Sequence, residues 1–75
     1  MSTQHALHNR IGPLEHRLGL SDDALARAAG LSRAHLNRIK NGTIVPRIDT
    51  ALAIARALGV SVAAVFQLTS RSNAR

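Results

Sequence analysis

The chain has 75 residues, with ten Lys and Arg against four Asp and Glu and a formal net charge of +6 at pH 7. That length allows one domain with one small core, burying about 60% of the surface an unfolded chain exposes, so marginal stability or self-association is expected. There is no cysteine, which excludes disulfides and cysteine-based zinc or nucleophilic chemistry. All but one of the basic residues are arginine; the balance favours a polyanionic partner, although a membrane surface or an acidic protein would satisfy charge alone.

The opening MSTQHALHNR carries no apolar run of signal-peptide type, and no stretch approaches about 18 uninterrupted apolar residues, so a soluble cytoplasmic protein is expected. Residues 1–5 read as a flexible terminus. Leu7, Ile11, Leu14 and Leu18 then form the stripe of a first helix over about residues 5–18. Gly12 and Pro13 should kink or restart it, because proline has no N–H to donate and crowds the carbonyl of Asn9. A second helix starts at the N-cap Ser21, with Asp22 and Asp23 in its first turn and Leu25, Ala28 and Ala29 at helical spacing, and stops at Gly30. Ser32 caps a third, with Leu36 and Ile39 on one face, that ends at Asn41 and Gly42. Thr43 to Arg47 is a loop containing Pro46. Ile48, Ala51, Leu52, Ala55 and Leu58 give a fourth helix closed by Gly59, and Val62, Val65 and Phe66 a short fifth.

One device recurs at three of these starts. Leu20 before Ser21 with Leu25, Leu31 before Ser32 with Leu36, and Val60 before Ser61 with Val65 are hydrophobic staples. Residues 69–75, TSRSNAR, have no apolar anchor and read as a disordered basic tail, leaving one domain over residues 6–68. No strand, repeat or internal linker is expected.

The stretch LSDDALARAAGLSRAHLNRIKNG, followed by VPRIDTALAIARALGVSVAAVF, resembles the Cro and lambda-repressor type of helix-turn-helix protein, the Xre family, over about residues 7–67. Leu25 and Ala26, Gly30 in the turn, and Leu31, Leu36 and Ile39 at buried positions carry the match. The resemblance implies an all-α, compact five-helix lambda-repressor-like DNA-binding domain whose helices 2 and 3 are the helix-turn-helix. It implies that the helix over residues 33–41 lies in the major groove of double-stranded DNA, and that dimers bind half-sites about 34 Å apart.

The third helix read at about 100° per residue agrees with that role. Leu36 and Ile39 centre one side, Ala34, Asn37, Arg38 and Asn41 lie opposite, and Arg33 projects from the first turn. Arg33 and Arg38 suit guanine O6 and N7, Asn37 suits adenine or a phosphate, and Ala34 a thymine methyl. Phosphate contacts fall to Ser32, His35, Asn41, Thr43, Arg47 and the free N–H groups at helix starts. The competing reading is a solvated arginine face.

Two positions depart from the family's pattern. Asp22 stands where the family usually has a phosphate-touching glutamine, and Glu15 and Lys40 stand where it commonly pairs an arginine with a glutamate. The double reversal suggests a structural ion pair of exchanged polarity. Val62, Val65, Phe66 and Leu68 exceed what one short helix needs and are expected to meet a second copy across a two-fold axis.

His5, His8 and His16 lack a carboxylate or cysteine at ligand spacing, so neither metal nor cofactor is expected, and no nucleophile elbow or phosphate-binding glycine loop suggests an enzyme. Two functions remain. One is a bacterial, plasmid- or phage-encoded transcriptional repressor that occupies a palindromic operator as a homodimer, with no membrane partner and no small-molecule effector. The other is an antitoxin that neutralises a toxin and autoregulates its operon, for which so short a tail gives little room.

Overall fold

The computed structural model describes residues 5–70. In chain order these form β1 (His5–Asn9), α1 (Ile11–Leu18), α2 (Asp22–Ala29), α3 (Arg33–Lys40), α4 (Ile48–Leu58), α5 (Val62–Val65) and β2 (Phe66–Ser70). The expected N-cap serines act as caps: the amides of Ala24, His35 and Ala64 donate to the Oγ atoms of Ser21, Ser32 and Ser61 at 3.1, 3.0 and 3.2 Å. Between α2 and α3 the chain turns on Gly30, whose φ of 74° is a left-handed conformation that a Cβ would strain. The Leu31 amide then donates to the Ala26 carbonyl at 2.8 Å, closing the end of α2 while Ser32 opens α3.

Around this pair lies a core whose fully buried members are Ile11, Leu25, Leu36, Ile39, Ile54 and Val65, one or two from each helix. No helix here is long enough to hold its shape alone in water, so each depends on the face it gives to that cluster. The α4 stripe is turned from the expected one. Ala51, Ile54, Ala55 and Leu58 face inward, whereas Ile48 and Leu52 are 72% and 53% exposed. Leu18, expected on the inner stripe of the first helix, is likewise half exposed.

Two expectations about the ends are overturned. His5 to Asn9 do not begin a helix, and Thr69 and Ser70 do not begin a disordered tail; they are β1 and the end of β2, paired antiparallel with Leu7 opposite Leu68 and Asn9 opposite Phe66. The remainder of both expected segments, residues 1–4 and 71–75, lies outside the described residues. A two-stranded ribbon is at best marginal by itself. This one is anchored by buried Phe66, by Leu7 packed on the core, and by the Arg10 amide donating to the Val65 carbonyl at 2.8 Å. Helix α1 therefore starts only at Ile11, which puts Pro13 in the first turn, where its missing N–H has no intrahelical acceptor to leave unmet. No kink is needed.

Asn9 joins ribbon to helices. Its Oδ1 accepts from the Ile11 amide at 3.2 Å, and its Nδ2 donates to the carbonyls of Ile39 and Lys40, both at 3.2 Å. One side chain thus covers an unpaired donor at the start of α1 and the Lys40 carbonyl at the end of α3, and adds a second bond to the Ile39 carbonyl, which also accepts from the Gly42 amide at 3.1 Å. Asn9→Ala should lower unfolding stability by about 1 to 3 kcal/mol through those orphaned groups. Urea denaturation measures it, and an unchanged midpoint would contradict this role.

Candidate nucleic-acid interface

Helix α3 buries Leu36 and Ile39 and leaves Arg33, Ala34 and Arg38 exposed, with Asn37 half-buried between them. His35, in the first turn of α3, is half-buried, and beyond the ends of the helix Ser32, Asn41, Thr43 and Arg47 are exposed. The geometry follows from the helical repeat: with two residues taken by the core, the positions about 180° away must face solvent. Arg38 forms no ion pair among the described residues. Arg33 has its guanidinium 3.5 Å from Asp23 Oδ1, and the Nε of Arg47 lies 3.7 Å from Asp49 Oδ1. Both contacts are largely in water, so they bias side-chain direction more than they stabilise the fold.

The far end of α3 is held differently. Lys40 Nζ donates to Glu15 Oε1 at 2.8 Å and to Asp22 Oδ1 at 2.7 Å. Glu15 and Lys40, singled out as a reversed pair, are thus in direct contact. Asp22 is a third member that its sequence position conceals, because it already has a local role as a negative charge at the start of α2. The Glu15 side chain is only 7% exposed, against 24% for Lys40 and 25% for Asp22. Its Oε2 is buried with no hydrogen-bond partner among the described residues.

The charges respond accordingly. Burial pushes the Glu15 carboxyl above its ordinary value; the bond from Lys40 opposes this and the nearby Asp22 adds to it. The bond from Lys40, with a smaller one involving Glu15, holds Asp22 below its ordinary value. Burial alone would lower the Lys40 ammonium, but its bonds to Asp22 and Glu15 outweigh that and raise it. Asp22 therefore does not stand as an isolated negative charge at the start of α2.

The four residues expected at a dimer contact divide. Val65 is fully buried and Phe66 is 9% exposed, both in the chain's own core, while Val62 is half-buried against that core and Leu68 is 70% exposed. Val65 and Phe66 are thus not free to meet a partner, because packing α5 and β2 onto the helices consumes them. Among the described residues no three His, Cys, Asp or Glu gather as metal ligands, and no helix is long and apolar enough to cross a membrane.

Residues 14–65, which contain α2, α3 and all three members of the charge cluster, match the family described as helix-turn-helix. No curated protein matches the chain.

Because Asp22 shares Lys40, exchanging only the reversed pair is not a clean swap. Glu15→Arg with Lys40→Glu sets a new carboxylate beside Asp22. Thermal melts should show that double variant well below wild type, with Asp22→Gln recovering much of the loss; equal melting of double and triple variants would show that Asp22 is uncoupled. The pH dependence has two opposed parts. Asp22 contributes stability that is present above 3.8 and lost as pH falls through its lowered value. Glu15 acts the other way: its contribution is present below 4.5 and lost as pH rises through its raised value. Relative to Glu15→Gln, wild type should lose stability as pH climbs from 4.5 towards neutrality. Urea midpoints across that range decide it, a constant difference being the contrary result.

Proposed function

Since the chain belongs to the Xre/lambda-repressor-type helix-turn-helix family, whose members are DNA-binding regulators, we propose that it is a transcriptional repressor that occupies a palindromic operator as a homodimer. In this reading α2 and α3 are the helix-turn-helix, and residues 33–41 enter the major groove. The observation that carries it is the division of α3: apolar Leu36 and Ile39 within, Arg33, Ala34, Asn37 and Arg38 without, and the C-terminal end fixed by Lys40 and Asn9. Donors on a helix so held have defined positions, which reading base edges requires and mere phosphate attraction does not.

The roles follow from chemistry and placement. Arg38, unencumbered, offers the two parallel N–H donors that match guanine O6 and N7, and Arg33 offers the same from the first turn with Asp23 biasing its direction. Asn37 can donate to and accept from adenine, and Ala34 leaves room for a thymine methyl. Ser32, His35, Asn41, Thr43 and Arg47 flank this face and supply phosphate contacts that set register without reading sequence. Repression by occupying a promoter needs only this binding. It calls for no cofactor or effector, and it places the protein in the cytoplasm of a bacterium, encoded there or by a plasmid or phage.

Arg33→Ala and Arg38→Ala should each cost about 1 to 3 kcal/mol at one base position and relax preference there. Arg47→Ala should weaken binding to all sequences alike and make the dependence of log K on log salt shallower by about one unit. Fluorescence anisotropy on single-base operator variants over a salt series separates the two. Unchanged base preference in Arg38→Ala would reject the assigned face.

A further inference from the structure

Helix α4 presents to solvent a stripe that the core leaves largely uncovered, with Ala57 at its edge packed against the core. Leu52 and Ile48 are exposed there, and Asp49, Leu52, Ala53, Arg56 and Ala57 line, with Ala28 of α2, an open groove of ≈ 530 Å³. The stripe is complementary to itself. When α4 is laid against a reversed copy, Asp49 and Arg56, seven residues apart and so on one side of the helix, fall opposite each other. A two-fold axis generates that pairing twice. Leu52 then meets its own copy near the axis, and Ala53 beside it allows close approach of the helices.

We propose that a second copy of this chain occupies this groove, α4 packing antiparallel against α4 across a two-fold axis. The inference deepens the homodimer in the proposed function and rests on that reading. It also replaces the surface first expected, since Val65 and Phe66 are already buried in the chain's own core.

Charge argues for this occupant. Two copies each carrying +6 repel, so a two-fold contact gains from setting acid against base. Of the four acidic residues, Glu15 and Asp22 are bound by Lys40, and Asp23 and Asp49 lie in water beside Arg33 and Arg47; Asp49 is the one on this apolar stripe, and it is 72% exposed. Helix α4 has 11 residues, about 16 Å of length at 1.5 Å per residue. Such a contact belongs at the small end of specific interfaces. The dimer is therefore concentration-dependent in solution and is completed when two half-sites on one DNA hold both copies together.

Sedimentation equilibrium of the full chain tests this with Asp49→Arg and Arg56→Asp. Each variant alone sets like charges opposite one another twice and should raise the dimer dissociation constant about tenfold or more. An equimolar mixture restores two opposite pairs and should form a heterodimer near wild-type affinity, with both variants melting as folded proteins. Wild-type dimers that both variants form equally well, with no preference in the mixture, would overturn the α4 assignment while leaving the homodimer standing. Loss of dimers in both variants without recovery in the mixture would overturn the register. A wild type monomeric even on DNA with two half-sites would overturn the homodimer itself.

Discussion

The arrangement turns on one ammonium group. Lys40, the last residue of α3, is bound through its side chain to Glu15 of α1 and Asp22 of α2, while Asn9 of β1 holds its carbonyl. Three elements thus converge on the end of the helix proposed to face DNA. An apolar contact alone would keep Leu36 and Ile39 inside and still let α3 slide or rock, because hydrophobic burial has no direction. Hydrogen bonds to a buried carboxylate do have direction, and losing them strands charge in a poor solvent.

This anchor has its own cost. Two carboxylates share one cation, and the more buried of them keeps an oxygen without a partner among the described residues. The opposed shifts of Glu15 and Asp22 follow from that crowding: burial presses Glu15 towards neutrality, while Asp22, nearer water, keeps its charge. Glu15, Asp22 and Lys40 thus form a single coupled cluster. A lysine at position 40 can take a second acceptor, and Asp22 supplies it.

The parts legible in the sequence are those set by neighbours in the chain. Serine caps, glycine stops and the split of α3 into inner and outer faces depend on residues within one or two turns, and the structure has them where the residues indicate. The ribbon was not legible, because β1 and β2 come from opposite ends of the chain and Leu7, four residues before Ile11, fits a helical stripe equally well. Helix α4 is apolar on so much of its circumference that its spacing allows two phases; packing chose the one that buries Ile54 and leaves Leu52 outside. Asp22 and Asn9 were hidden for another reason. Each has an ordinary local use, as a helix-start charge and a cap, and the longer-range bond shows only when α3 is in place.

In the proposed function an anchored α3 reads base sequence, as distinct from an arginine-rich surface that merely adheres to DNA. Selection of bound fragments from random duplex DNA, at near-physiological salt where nonspecific binding is weak, tests it most directly. Enrichment of one short motif, repeated with two-fold symmetry about one turn of DNA apart, is the expected result. Retention of fragments without sequence preference, falling away uniformly as salt is raised, would contradict it.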